Sequence, residues 1–529
     1  MNRLSTLFSS ELKEIGKEDF VKALNAYVGD IHNHCGISYG YGSDEKAIKF
    51  ASQQLDFFSV TGHFAWPDME TAEGMQIPAD VIAYHKKGFA KLRENWPTFK
   101  MNMKNAESKV LIPFLSYEYH SFYYGDYTIL CRSLDEDLPS PVAEGEVDTR
   151  LTDLLKGKRE QTERFLCTPH HIGYKQGYRG INWDEFQEEA SPLVEIASMH
   201  GCAESHDAKL RYLHTMGPRS RKNTYQGGLK QHHHFGVVGS TDHHNASPGS
   251  YGFGRTVLFA PELTRDSIWN TLRDRFTTAA TGDPIQAMLF VDGNRMGLKA
   301  LEEKKSHRID AFVSAFDELE SVEVVQGDKV ILGQYTFPAE NKNRGFVSLA
   351  FGWGKKHKPC IWDVKVEVEN GTALSSTPRL RGIDMVDPLD APKEDDSTLP
   401  VFTREDNGFE LHAYTDGNPT AVTDTSQAVV LEVEGDENTK ILVHVKASWA
   451  GVSVDNTYTY TLKELENEQA TEYLSGFVSP AFALSRFAPL DSTLCHISAD
   501  VELDDNTGIY LRAYEKNGDG VYTSPVSFI

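Results

Sequence analysis

The sequence predicts an α/β fold followed by a β-rich region, and three observations carry that reading. Between about 25 and 284, short apolar runs alternate with helical periodicities. Beyond about 285 the helical periodicity fades, and alternating runs bounded by Gly, Asn and Asp replace it. Fifteen of the twenty histidines fall between 25 and 284, which confines the expected chemistry to the first region. The chain of 529 residues is too long for one ordinary core. The expected division is a helical lead-in over 1–24, an α/β region over 25–284 and a β-rich region of sandwich character over 285–529.

Strands are predicted at Tyr27–Ile31, Asp56–Thr61, Val110–Tyr117, Tyr127–Cys131, Phe165–Thr168, Leu193–Ser198, Gly236–Ser240 and Thr256–Phe259. Helices are predicted at Ser43–Gln54, Pro78–Asn95, Thr149–Lys156 and Arg265–Phe276. Ser43 is placed to cap the first of these, with Asp44 and Glu45 favourable in its opening turn. Such alternation argues for a parallel sheet, open or closed into a barrel. In the β-rich region, Val364–Val368, Ile441–Val445 and Ile509–Tyr514 alternate, and Asn517-Gly518 and Asp519-Gly520 signal turns. The stretch from Asp384 to Pro400 reads as an exposed linker.

Composition is that of a globular protein, with 40% hydrophobic and 25% charged residues. A formal net charge of −24 argues against nucleic acid as a partner, because phosphate backbones are held by basic patches. A local basic pocket for an anionic small molecule is compatible with it. The six cysteines form no Cys-x-x-Cys pair and read as reduced thiols. Neither a secretory signal nor a transmembrane span is read, so a cytoplasmic location is expected. Oligomeric state is not legible.

The chemistry lies in clusters at the ends of apolar runs. Asp30-Ile31-His32-Asn33-His34 ends the first strand, and alternate side chains place His32 and His34 on one face. Two converging imidazoles suit a divalent transition metal; the plainer reading is a polar strand end. His63 follows the second strand, as a ligand or a core histidine. Glu118 ends the third, where an unpaired carboxylate is costly to bury and one held between two cations is not; a surface salt bridge is the alternative. His120 shares its face, as ligand, support or substrate contact. Of the adjacent pair His170 and His171, only one can face a metal, and His170 is preferred. His200 follows the strand carrying Glu195 and is read as a ligand, with Glu195 as a structural partner. Asp242 and His244 share a side and His243 points away. The glycine-rich loop Gly249–Arg255 places a guanidinium that holds either an anion or an ordinary salt bridge. The run His232-His233-His234 reads as an exposed loop. Together His32, His34, Glu118, His170, His200, Asp242 and His244, with His63, exceed the needs of one ion and fit two sharing Glu118.

On Asp30–His34, Ser59–His63, Glu118, Pro169-His170, Ile196–His200 and Asp242-His243-His244, the chain resembles the polymerase-and-histidinol-phosphatase (PHP) family of metal-dependent hydrolases, over roughly 25–260. Thr256–Gly282 and Ser524-Pro525-Val526 are similar to its DUF3604 branch. The resemblance implies a distorted (β/α)7 barrel with a multinuclear site at the carboxyl ends of its strands. It implies one metal on His32, His34, Glu118 and Asp242, a second on Glu118, His170 and His200, and His63 and His244 at a third where the family has one. Two departures fall on that third site: Thr61-Gly62-His63 stands where the family has Thr-Asp-His, and Cys35–Gly42 holds no histidine.

The expected function is metal-dependent hydrolysis by an activated water, with Zn, Mn or Fe as the ions and a phosphoester as the favoured substrate. Arg255, Lys175 and Arg179 are candidates to grip an anionic group, and His120 to shape the pocket. His171, His63 and His243 are candidates to protonate the leaving group. Hydrolysis of a C–N or C–O bond is the second enzymatic reading, and a non-catalytic binding protein on a degenerate barrel the third.

Overall fold

The computed structural model describes residues 2–71, 76–143, 146–157, 159–210, 217–354, 358–382, 399–417 and 424–529. Of the expected linker over Asp384–Pro400, only Leu399 and Pro400 lie within the described residues, and both are buried. The lead-in is three short helices, Arg3–Leu7, Ser9–Glu14 and Glu18–Lys22, whose Leu4, Leu12 and Val21 are buried in a core shared with Phe290 and Phe312.

The first region is built on strands β1 (Asn25–Asp30), β2 (Phe57–Ala65), β3 (Ile112–Tyr119), β4 (Asp126–Cys131), β5 (Phe165–His170), β6 (Leu193–Ser198), β7 (Gly236–Gly239), β8 (Arg255–Ala260) and β9 (Thr277–Ala280). The parallel alternation expected from the sequence holds for β1–β2–β3 and for β6–β7. Elsewhere the pairing is antiparallel: β3 with β4, β4 with β5, β1 with β8 and β8 with β9. The result is a mixed, strand-rich α/β sheet. Because β4 runs back and β5 returns, the start of β4 lies at the same edge as the carboxyl ends of β1, β2, β3 and β5. β6 and β7 form a separate small sheet with Gly201–Cys202. Side-chain hydroxyls tie β7 to its neighbours: Thr256 Oγ1 donates to Gly239 O and Thr277 Oγ1 to Val237 O, each at 2.7 Å.

Helices cover this sheet. α1 (Asp44–Ala51) starts at Ser43, whose hydroxyl accepts from Lys46 N. α2 (Ala79–Ala106) runs past the predicted end at Asn95. Pro97 lacks an N–H and disfavours a helix interior, yet Leu92, Trp96, Phe99 and Met103 recur on one buried face and carry the helix through it. That face rests on β2: a Cβ at Gly62 would lie 2.2 Å from Leu92 Cδ1. Position 62 therefore faces the helix layer, and a side chain such as Asp has no room there. α3 (Arg265–Arg273) buries Ile268, Trp269 and Leu272.

Beyond β9 the chain is β-rich, as expected, but it does not stay apart from the first sheet. Ile509–Glu515 and Gly520–Thr523, joined through Asn517-Gly518, return to it, and Gly520–Thr523 pairs with β9. A second, nine-stranded sheet centres on two long strands, Cys360–Arg379 and Gln427–Trp449. Their pairing shifts register near Asn370, which takes φ +56°. Residues on both sides of that break, Trp362, Val364 and Val366 with Val429, Leu431 and Val433, share one core. The sheet thus folds over itself as a sandwich.

Where this sheet meets the first, acids are buried together. Arg379 forms a two-pronged pair with Asp283, Tyr251 donates to Asp519 Oδ2 at 2.6 Å, and Glu515 Oε1 accepts from Phe316 N at 2.6 Å and from Asp317 N at 3.1 Å. Burial pushes the Asp317 carboxyl up from 3.8 to about 6, against the pull of Glu318 N and Arg379. The folded state therefore holds this proton in a range where the unfolded chain has lost it. The stability so gained is complete below the unfolded pKa and is lost as pH rises through 6. Asp317→Asn removes that dependence. Its unfolding free energy is expected to match wild type near pH 4 and to exceed it increasingly up to pH 7, by at most roughly 3 kcal/mol; a pH-independent difference would refute the assignment.

Candidate metal centre

The first and last sequence motifs meet through Asp30. Its carboxylate is fully buried and accepts from Thr241 Oγ1 at 2.6 Å, Gly249 N at 2.7 Å, His32 N at 3.1 Å and Thr241 N at 3.2 Å. Backbone bonds extend the join: Asp242 N donates to His32 O at 2.7 Å, His34 N to His243 O at 2.8 Å and Ala246 N to His34 O at 3.0 Å. Several non-glycine residues here take left-handed backbone, His171 at φ +51°, Arg179 at +68°, Asp242 at +51° and Ala246 at +48°. Such conformations cost of order 1–3 kcal/mol each and persist where surrounding contacts hold them.

Two buried carboxylates, Glu118 and Asp242, form the centre of the cluster. Glu118 Oε1 lies 3.0 Å from His170 Nε2 and from His120 Nδ1, and 3.7 Å from Arg179 Nη2. Its Oε2 lies 3.2 Å from His63 Nε2, 3.5 Å from His34 Nε2 and 4.0 Å from His32 Nε2. Asp242 Oδ1 lies 3.0 Å from His34 Nε2 and 3.4 Å from His32 Nε2. Its Oδ2 lies 3.1 Å from His200 Nε2 and 3.5 Å from His171 Nε2. Each carboxylate turns its two oxygens to different sets of imidazoles, so both stand where a bridging ligand stands.

The histidines are oriented for this. In four of them Nδ1 meets a protein oxygen while Nε2 faces a carboxylate: His32 on Glu195 at 2.9 Å, His63 on Ser38 Oγ at 3.0 Å, His170 on Thr128 Oγ1 at 3.3 Å and His200 on Tyr174 OH at 3.2 Å. Metal-ligating histidines are held in this manner. His244 Nδ1 meets Asp242 O at 2.8 Å.

The donor set fits divalent cations. Ligand bonds of 2.0–2.2 Å imply donor–donor edges of about 3.0–3.5 Å. The edges among His32 Nε2, His34 Nε2 and Asp242 Oδ1 are 3.2, 3.0 and 3.4 Å. Asp242 Oδ2 is buried without a hydrogen bond of good geometry. Burial would push the carboxyls of Glu118 and Asp242 up, but the imidazoles around them hold both well below the usual range. Burial, then neighbouring imidazoles, press His63 and His171 well down and His244 down to about 3. At neutral pH these carboxylates are ionised and these three imidazoles neutral, the forms that bind a metal. Convergent groups include His32, His34 and Glu118; His171, His200 and Asp242; and His34, His63 and His244.

All eight predicted ligands, His32, His34, His63, Glu118, His170, His200, Asp242 and His244, come together here. The grouping differs in two respects: His200 sits on Asp242, away from the Glu118–His170 edge it was assigned to, and His171, expected to point away while His170 faced a metal, also turns Nε2 to Asp242, at 3.5 Å. His120 and Arg179 join on the Glu118 side, where Arg179 pairs with Asp126 at 2.5 Å and lies over the Trp66 ring. Three expectations need correction. Arg255 is a buried strut, donating from Nε to Gly249 O and from Nη2 to Gly249 O and Gln54 Oε1. Lys175 is exposed, with its ammonium 5.9 Å from the Tyr178 ring centre. His243 lies beside Phe253 and Gly382, facing the second sheet, as its place between Asp242 and His244 required.

Asp126 was not singled out in the sequence. It is fully buried and falls with Glu118, His170 and His171 as a possible ligand group; an acid directly before the apolar run of β4 was the signal. Tyr39 was missed also. Its ring stacks on His63 at 3.4 Å, and its hydroxyl lies 3.2 Å from both His120 and His85, inside the stretch that lacks a histidine. The side chains of His244, Arg179 and His200 are 26, 14 and 12% exposed, against 0% for His32, His34 and His170, so the centre opens on that side.

No family model matches the chain. An uncharacterized protein of Chlamydia trachomatis serovar D is 24% identical over 202 residues, 35% of this chain, and the chain spans about a third, 32%, of that relative's length. A solved two-domain protein of Bacteroides vulgatus, described as containing a predicted PHP-like metal-dependent phosphoesterase, is 12% identical. The match covers 83% of this chain and 96% of that one at a TM-score of 0.29, a likeness too loose to carry an argument.

Glu195 tests the centre without touching its ligand oxygens. Glu195→Ala removes the oxygen that meets His32 Nδ1 at 2.9 Å. Zn²⁺ affinity of the metal-free protein, measured by competition with a chromophoric chelator, is expected to fall by about tenfold with the fold unchanged. Unchanged affinity would show that His32 does not bind through Nε2.

Proposed function

We propose that the protein is a metal-dependent hydrolase acting on phosphoesters, on a distorted barrel of the PHP type. The observation that supports this most is the shared orientation of His32, His63, His170 and His200, Nδ1 held by the protein and Nε2 turned to Glu118 or Asp242. Divalent cations held there supply an activated water and neutralise charge on a phosphoryl group. His32, His34, Glu118, Asp242, His170, His171 and His200 hold them; Zn, Mn or Fe all suit imidazole and carboxylate donors.

The remaining residues take roles from their placement. Arg179, fixed by Asp126 beside Glu118, presents a guanidinium at the open side of the centre, where it binds an anionic group of a small-molecule substrate. His63, neutral and buried beside Glu118, is the candidate to take a proton from the attacking water and pass it to the leaving oxygen. His120 and Tyr39 wall the Glu118 side. A non-catalytic role fits poorly, because a degenerate site has no need to keep eight ligand side chains converged. No helix of the described residues is long and apolar enough to cross a membrane. All six cysteines are free and buried, in keeping with action in the cytoplasm.

Purified protein loaded with Mn²⁺ or Zn²⁺ is expected to hydrolyse phosphomonoesters or diesters, and Asp242→Asn to abolish at least about 99% of turnover. Arg179→Ala should raise KM for a phosphoester by roughly tenfold or more while leaving metal content intact. Turnover confined to amides, esters or lactones would overturn the phosphoester reading.

A further inference from the structure

We propose that the strand end Arg379–Gly382 of the second sheet is a positioning element of the metal centre, fixing the 242–251 loop that carries Asp242 and His244. The proposal rests on the metal-dependent reading above. It assigns the second sheet a role inside the centre.

The contacts are direct. Tyr251 N donates to Leu380 O at 2.8 Å, and Gly382 N donates to Ser250 Oγ at 2.9 Å. Leu380 N donates to Gln54 Oε1 at 3.2 Å, and Gln54 Nε2 donates in turn to Gly249 O at 2.9 Å. Arg379 and Arg381 lie over the Tyr251 ring at 5.1 and 4.7 Å, and Arg379 is anchored to Asp283. At Gly382 the two sheets touch so closely that a Cβ would sit 2.3 Å from Ser247 Oγ, 2.4 Å from Ser247 Cβ and 3.0 Å from His243 Cε1. The backbone of Gly382 is not in the left-handed region. Glycine is required there for space, not for conformational freedom.

The loop needs this support. Asp242 and Ala246 both take left-handed backbone, which lasts only where neighbours over-determine it. The β1 side supplies one set of constraints, through Asp30, His32 and His34. The strand end Arg379–Gly382 supplies the set on the opposite flank. A side chain at 382 would press Ser247 and His243 toward the cluster, and His243 is flanked by Asp242 and His244. Positioning groups behind metal ligands change affinity by displacing ligands, without touching the metal.

The test is Zn²⁺ titration of full-length metal-free protein against a chromophoric chelator, with circular dichroism as the control for folding. Gly382→Ala is expected to weaken Zn²⁺ affinity by about 10- to 100-fold. Adding Ser247→Gly, which removes the two closest of the three atoms the new Cβ meets, should restore most of the loss. Ser250→Ala removes the acceptor for Gly382 N–H without adding bulk, and should weaken affinity in the same direction by less. It decides the matter if Gly382→Ala does not fold. Wild-type affinity in Gly382→Ala or in Ser250→Ala overturns the proposal, as does a loss that Ser247→Gly leaves unrepaired. Wild-type protein that binds no Zn²⁺ overturns the metal reading instead.

Discussion

The structure depends on one electrostatic constraint. Glu118 and Asp242 are buried carboxylates whose four oxygens all face imidazole nitrogens. An unpaired buried charge costs several kcal/mol, and His63 and His171, which burial keeps neutral, do not offset it. Cations do. The centre is a pair of carboxylates walled by imidazoles, and among the described residues its more exposed side carries His244, Arg179 and His200. The arrangement explains why so many titratable groups are crowded together at so little exposure.

The fold meets that constraint by bringing strand ends to one edge. β1, β2, β3 and β5 end there, and the reversed β4 begins there, so five strands contribute without five parallel crossovers. The last contributor, the loop after β7, is not carried by the main sheet at all. Asp30 ties it to β1 over a separation of 219 residues at Gly249, and the second sheet braces its far flank. Ligand placement is thus distributed over both sheets. The return of Ile509–Glu515 and Gly520–Thr523 to the first sheet makes the carboxyl-terminal strands part of it.

Much of this was legible in the sequence because strand ends are marked by an abrupt change from apolar to ligand-type residues. His32, His34, Glu118, His170 and Asp242 all follow such a change. What was not legible depends on long-range packing. Gly62 looked like a lost ligand, yet Leu92 of α2, distant in sequence, occupies the space of its side chain. Asp126 was not singled out because strand direction cannot be read from composition, and only the antiparallel course of β4 brings it to the site. Arg255 looked like an anion grip, but its partners, Gln54 and Gly249 O, are set by how α1 and the loop pack. The buried face of Trp96, Phe99 and Met103 carries α2 past the expected end at Asn95 and through Pro97.

Element-resolved anomalous diffraction tests the central claim most directly. Crystals grown with Mn²⁺ or Zn²⁺ and measured on both sides of the metal's absorption edge should show at least two peaks. One is expected among His32, His34, Glu118 and Asp242, and another against the opposite oxygen of Glu118 or Asp242, within reach of His170 or of His171 and His200. Well-ordered crystals with every one of these side chains in place and no peak within bonding distance of Glu118 or Asp242 would contradict the account.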